Sequence, residues 1–98
     1  MSKSKKYGTY YGELVPYNEE LSYNDWGTND TEIFIENIKA AGVTEVVLDI
    51  EDGNDYSSTM FFETNEKTDF KELMLMIAAV RPHEFSEETE NHFRMWFD

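Results

Sequence analysis

The sequence predicts an α+β fold, in which a small antiparallel sheet (β-α-β-β-α-α order) is packed with three helices. Two segments, 43–51 and 57–64, alternate apolar and polar residues, which is the period of a half-buried strand. Two others, 29–42 and 68–82, carry apolar residues three and four positions apart, which is the period of a helix packed on a core. These two periods define the fold class, and each element is then placed by its local signals.

The first part of the chain predicts a strand followed by a helix. Residues 7–17 alternate in polarity, and Pro16 closes the strand. After a polar, turn-rich loop, Asn29 is the expected N-cap, and Glu32 three positions later completes a capping box. Gly42 is a typical residue for the end of that helix, because glycine readily adopts a positive φ.

The next part of the chain predicts a β-hairpin around the turn Asp52–Gly53–Asn54–Asp55. The first strand has one apolar face and one acidic face. The apolar face consists of Thr44, Val46, Leu48 and Ile50, and the acidic face of Glu45, Val47, Asp49 and Glu51. On the returning strand, Ser58, Met60 and Phe62 oppose Thr59, Phe61 and Glu63. The hairpin therefore predicts one face for a core and one for a surface.

The last part of the chain predicts two further helices. Thr68 is the expected N-cap of the first, and Pro82 ends it. Its expected buried stripe is Phe70, Leu73, Met74, Ile77 and Ala78. Ser86 is the expected N-cap of the second, which has acidic residues in its first turns. Its apolar side is expected to be Phe93, Trp96 and Phe97.

The charge of the chain is strongly unbalanced and limits its partners. The 98 residues carry 21 Asp and Glu against 8 Lys and Arg, a net charge of −13. Three of the cationic residues lie in 1–6, which we expect to be a flexible basic leader, and residues 7–98 are expected to form a single α+β domain. Such a charge disfavours nucleic acid and anionic membranes as ligands and favours a basic protein as the partner.

Other sequence signals point to a cytoplasmic protein without catalytic chemistry. The chain has no cysteine, and its longest apolar stretch, Leu73–Val80, is too short to span a bilayer, which needs about 20 residues. The hairpin turn does not fit an EF-hand, since placing Gly53 at the sixth position puts Leu48 first and Thr59 twelfth. Glu88 and His92, four residues apart, are expected to form a surface pair on the third helix. We therefore expect no enzyme activity, catalytic residue, metal or cofactor.

The acidic hairpin is the strongest candidate for a partner-binding site. Residues two apart on one strand face lie about 6.6 Å apart, close to the spacing of every second phosphate along one DNA strand. The apolar residues between the acids resemble the centre of a protein interface. The predicted binding residues are Glu45, Asp49, Glu51, Asp52, Asp55, Phe61, Glu63, Glu66 and Asp69.

These observations predict a small acidic inhibitor that blocks the basic nucleic-acid groove of another protein, as a mimic of DNA. The expected target is a defence nuclease or another DNA-binding enzyme, and the expected source is a phage or mobile element. Anti-CRISPR and anti-restriction inhibitors share this size and charge, although the likeness is one of composition only, without a shared motif. The alternative is an immunity or antitoxin protein that masks a cognate toxin. The sequence leaves the oligomeric state open.

Overall fold

The structure is a computed structural model that describes residues 13–50 and 54–97. The expected basic leader lies outside the described residues. The strands are β1 (Glu13–Pro16), β2 (Ser22–Tyr23), β3 (Glu45–Ile50), β4 (Tyr56–Ser57), β5 (Thr59–Glu63), β6 (Glu84–Thr89) and β7 (His92–Trp96). The helices are α1 (Gly27–Ala40) and α2 (Phe70–Val80).

The strands form an antiparallel sheet of five strands and a separate parallel pair. Among the described residues, the order in the large sheet is β1-β3-β5-β7-β6, so that β5 is central and β1 and β6 are the edges. β2 and β4 form the parallel pair. The α+β class and the antiparallel sheet are therefore confirmed, whereas the predicted element order is not.

The predicted third helix is wrong, because this segment forms the β6–β7 hairpin. Phe93, Met95 and Phe97 point into the core, whereas Arg94 and Trp96 between them lie on the other face of the sheet. This period of two indicates a strand, and the helical prediction did not use Met95. Asn91 makes the turn with φ of 67°, a left-handed conformation that asparagine tolerates well. A bulge between Glu87 and Thr89 interrupts the pairing of β6 with β7.

Both helices pack on one face of the large sheet, and the main core lies between the helices and the sheet. The fully buried side chains at its centre come from α1, α2 and three strands: Ile35, Ile38, Leu48, Met60, Phe62, Leu73 and Met95. The predicted hairpin faces are confirmed, since Val46 pairs with Phe62 and Leu48 with Met60 on this core side. The opposite side of the sheet is called the second face below.

Helix α1 begins earlier than predicted and ends where predicted. Its N-cap is Trp26, which makes no side-chain cap bond, and Asn29 lies inside the helix. Thr31 fixes the start instead, because its hydroxyl donates to the Gly27 carbonyl (2.7 Å) and accepts from the Tyr23 N–H (2.9 Å). Gly42 has φ of 109° just after the helix, as expected for a terminating glycine.

Helix α2 is joined to the end of α1 by the residues that precede it. Asp69 is the N-cap and accepts from the Glu72 N–H, so the prediction of Thr68 as cap is wrong. The Thr68 hydroxyl instead donates to the Gly42 carbonyl (2.9 Å). Within α2 only Leu73 and Ile77 are buried, whereas Phe70 and Ala78 of the expected buried stripe are exposed.

Candidate acidic binding surface

The second face of the sheet brings together several of the predicted binding residues. Glu45 on β3 lies directly opposite Glu63 on β5, and Val47 lies opposite Phe61. Asp49 follows on the same face of β3, as the alternation predicted. The apolar residues of this face form a cluster separate from the main core, consisting of Val47, Phe61 and the partly buried Leu14.

Phe61 is fully buried and therefore serves packing in this structure. Its side chain has 0% exposure, and Val47 beside it has 7%. The sequence placed Phe61 correctly on the acidic face of the hairpin, but an anchor for a partner must be reachable from solvent. Binding at this face therefore depends on the carboxylates around Phe61.

Glu63, beside this apolar pair, is held in a hydrogen-bonded row that runs from β7 to the residue before β3. His92 on β7 pairs with Glu63, and its Nε2 lies 3.0 Å from Glu63 Oε2. Its Nδ1 lies 2.7 Å from the carbonyl oxygen of Glu90. The Thr44 hydroxyl also donates to Glu63 Oε1 (3.3 Å). This row fixes the position of Glu63 although Glu45, of like charge, lies beside it.

The connections at this end of the sheet add two predicted acids. Glu66 follows β5 and lines a shallow groove together with Lys67 and with Asn91 of the β6–β7 turn. The same turn is held against the end of β5 by the bond from the Thr64 N–H to the Asn91 carbonyl (2.8 Å). Asp69, at the start of α2, is tied to the end of α1 through its N–H and the Ala41 carbonyl (2.7 Å). Both Glu66 and Asp69 are exposed.

The hairpin of β6 and β7 contributes acids that the sequence interpretation assigned to a helix. Glu87, Glu88 and Glu90 are exposed on the end of β6 and in the turn that follows. Glu87 accepts from the Asn91 N–H (2.9 Å), and Glu88 accepts from the Ser86 hydroxyl. The alternation of Phe93, Met95 and Phe97 was the signal that could have placed them on a hairpin.

We call the resulting surface the acidic end. Its members are the carboxylates at the end of the sheet where β3 and β7 begin and β5 and β6 finish: Glu45, Glu63, Glu66, Asp69, Glu87, Glu88 and Glu90. From β3 to β6 the sheet extends about 14 Å, at about 4.8 Å per strand. One DNA strand places about four phosphates over that distance, at about 3.4 Å each.

The remaining predicted binding residues do not join the acidic end. Asp49 lies near the opposite end of the sheet, and Asp55 precedes β4 on that same side. Glu51 and Asp52 lie outside the described residues. Asp49 lines a small depression with Tyr56, and its Oδ1 is buried without a hydrogen-bond partner among the described residues. The predicted array along one hairpin is thus divided between two ends of the sheet.

The predicted pair of Glu88 and His92 does not exist. Its assumed helical spacing is absent, because Glu88 lies on β6 and His92 begins β7. His92 contacts Glu63 instead. Arg94, two residues further along β7, forms an ion pair with Glu84 (2.8 Å) and stacks over Trp96 at 5.8 Å from the ring centre. These contacts belong to the second face and not to a metal site.

A second acidic group surrounds Tyr17 beyond the end of β1. Tyr17, Glu19, Glu20 and Lys39 line a shallow depression. Burial raises the pKa of the Tyr17 phenol above its usual 10.0, and the nearby carboxylates, Glu32 first, raise it further. The Tyr17 hydroxyl is buried and has no hydrogen-bond partner among the described residues. This group lies beside β1, at the other side of the sheet from β6. It is therefore separate from the acidic end.

The described residues contain no group of three or more His, Cys, Asp and Glu side chains placed to hold a metal ion. No helix in residues 13–50 and 54–97 is long and apolar enough to cross a membrane. Comparison of the chain with protein-family models, with curated proteins and with solved structures finds no match in any of the three.

Proposed function

We propose that this protein is an inhibitor that binds the basic nucleic-acid groove of a DNA-binding enzyme, as a mimic of DNA. The observation that carries the proposal is the acidic end, where three strands, two turns and a helix start bring seven carboxylates to one end of the sheet. A defence nuclease of the kind that phages and mobile elements counteract is the expected target class.

The mechanism is competitive occupation of the groove. Lysine and arginine side chains that normally bind phosphates would bind the carboxylates through charge-assisted hydrogen bonds. Glu66, Glu88 and Glu90 are exposed and suited to that contact, and His92 holds Glu63 in place. Because the backbone at these residues is fixed in strand ends and tight turns, little backbone freedom is lost on binding.

The test uses a panel of purified DNA nucleases whose DNA cleavage is measured with and without the protein. We expect the inhibited enzyme to regain activity when DNA is added in excess, and the protein itself not to bind DNA. Inhibition should weaken steeply as salt rises, since charged contacts steer the association. A single tight partner without any nucleic-acid groove would contradict mimicry and favour the immunity or antitoxin class.

A matched pair of charge-reversal variants tests where the enzyme binds. Replacing Glu66, Glu88 and Glu90 by lysine should reduce inhibition at least 100-fold, because each lost charge pair at an interface typically costs more than about 1 kcal/mol. The control replaces Glu19, Glu20 and Glu36 by lysine, the same change in charge on exposed residues away from the acidic end. Equal losses in the two variants would show that net charge matters and that the acidic end is not the contact.

A further inference from the structure

The centre of the second face is buried, although both described helices pack on the other side of the sheet. Phe61 has 0% exposure, Val47 on the adjacent strand has 7%, and Thr59, on the same face of β5, has 4%. An antiparallel sheet with one open face normally leaves the side chains of that face in contact with water. These values therefore indicate that a further layer lies over the middle of the second face.

The described neighbours of Phe61 do not supply this layer. Val47 stands beside Phe61 on β3, and Leu14 joins the same cluster from β1. Arg94, directly opposite on β7, extends its guanidinium over Trp96 and to Glu84 on β6. Side chains on neighbouring strands contact one another from the side, so the ring of Phe61 still needs a group above it.

Composition identifies the segment that can supply the layer. The residues outside the described ranges are 1–12, 51–53 and 98. Residues 51–53 and 98 have no apolar side chain, since they are Glu51, Asp52, Gly53 and Asp98. Residues 1–12 contain three of the six tyrosines of the chain, Tyr7, Tyr10 and Tyr11. One aromatic side chain buries about 150–250 Å², which is enough to cover the ring of Phe61.

We propose that residues 1–12 lie across the second face, with tyrosine side chains over Phe61 and the lysines at the acidic end. The length of the segment permits this path. Glu13, the first residue of β1, pairs with Ile50, at the end of β3 away from the acidic end. Phe61 lies two strands across and three positions along from there, about 14 Å away, and the acidic end about 20 Å away. The seven residues from Lys6 to Gly12 span up to about 24 Å.

Charge favours the same path. Residues 1–12 carry Lys3, Lys5 and Lys6 and no Asp or Glu, whereas all 21 acidic residues of the chain lie after them. A segment that crosses Phe61 from the start of β1 continues toward Glu45 and Glu63, which lie opposite each other at the acidic end. Its positive charge is therefore attracted to the end of the molecule where the path leads.

Paramagnetic broadening of backbone amide signals tests the path in the full chain. The chain has no cysteine, so Ser4→Cys carries a single nitroxide label among the lysines. We expect this label to broaden the amides of Glu45 and Glu63 strongly and that of Leu75 on α2 little. The matched control is a label at Ala79→Cys, exposed on α2 one helical turn from Leu75, which should give the opposite pattern. Weak broadening at all three amides from Ser4→Cys would overturn the proposal.

Substitution of the tyrosines tests the cover over Phe61. The double variant Tyr10→Ser with Tyr11→Ser should shift the amide signals of Phe61 and Val47 and lower the melting temperature, because apolar contacts above them are lost. Tyr56→Ser is the control, since Tyr56 is 52% exposed outside the second face, and it should leave both signals in place. The proposal fails if the double variant leaves these signals where they are in the wild type.

Substitution of the lysines tests the charged end of the path. Replacing Lys3, Lys5 and Lys6 by glutamine should reduce the broadening of Glu45 and Glu63 by the Ser4→Cys label about twofold or more, because the attraction to the acidic end is removed. Broadening that is unaffected by this change would show that the lysines do not hold the segment there. None of these measurements uses inhibition of an enzyme, so their outcome is separate from that of the proposed function.

Discussion

At the scale of single residues, Tyr23 joins the start of the helical layer to the sheet. Its side chain is fully buried, and its hydroxyl donates to the Met95 carbonyl at 2.7 Å across 72 positions of sequence. Its ring also contacts Trp26 and Phe97 edge to face. In the sequence, Tyr23 lies in the polar, turn-rich loop before the first predicted helix, and nothing there indicates its partner, because a contact so distant along the chain leaves no local pattern.

We predict that Tyr23→Phe lowers the free energy of unfolding by about 1–3 kcal/mol, because the Met95 carbonyl loses its partner in a buried site. Burial raises the pKa of the Tyr23 phenol above 10.0, although the nearby Arg94 acts in the opposite direction. The unfolded chain therefore ionises first, and this part of the stability is lost as the pH rises above about 10. Denaturant unfolding between pH 8 and 11 should show a steeper loss for the wild type than for Tyr23→Phe.

The control for this prediction is Tyr56→Phe. Tyr56 is 52% exposed, so its hydroxyl is expected to contribute little to stability at any pH. The assigned role of the Tyr23 hydroxyl would be wrong if Tyr23→Phe and Tyr56→Phe had the same small effect. It would also be wrong if the free energy of unfolding of Tyr23→Phe fell as steeply between pH 8 and 11 as that of the wild type.

At the scale of elements, the approach of α1 to α2 depends on one glycine. Gly42 has φ of 109°, and a Cβ atom there would lie 2.7 Å from the backbone Cα of Thr68. We predict that Gly42→Ala lowers the free energy of unfolding by about 3 kcal/mol or more, from an unfavourable φ together with overpacking. Urea unfolding measures the change.

Gly27→Ala is the matched comparison for this substitution. Gly27 also has a positive φ, of 80°, but nothing lies within 4 Å of an added Cβ. Gly27→Ala should therefore lower the free energy of unfolding only through the unfavourable φ, by about 1–2 kcal/mol. Equal costs at the two positions would mean that the contact between Gly42 and Thr68 relaxes freely and does not hold the two helices together.

The elements also show what the sequence could and could not predict. The hairpin of β3 and β5 was predicted with its correct faces, because a strict alternation admits one register in which all apolar residues face the core. The β6–β7 segment was misassigned, because Phe93, Trp96 and Phe97 also fit a helical spacing and glutamates suit a helix start. That single error separated Glu87, Glu88 and Glu90 from the predicted site, so about half of the acidic end was missed.

At the scale of the whole molecule, the net charge of −13 should destabilise the compact state through self-repulsion. Within the described residues 13–50 and 54–97, the ion pair between Glu84 and Arg94 and the hydrogen bond between His92 and Glu63 offset little of this repulsion. We predict that the melting temperature rises by several degrees between about 0.05 M and about 0.5 M NaCl at pH 7, because salt screens the repulsion.

A variant of lower charge gives the comparison. Replacing the exposed Glu19, Glu20 and Glu36 by glutamine should raise the melting temperature at low salt and reduce its further gain at high salt. A melting temperature that neither salt nor this substitution raises would indicate that the charges are dispersed widely enough not to oppose folding.

In the part of the chain that the structure describes, both edges of the five-stranded sheet carry features that hinder the addition of another strand. β1 contains Pro16, which cannot donate a backbone hydrogen bond, and β6 has exposed glutamates and a bulge between Glu87 and Thr89. Edges of this kind resist the strand-to-strand stacking that leads to fibrils. The chain should consequently remain free of amyloid even at high concentration, and Glu88→Lys should keep that protection while removing one carboxylate of the acidic end.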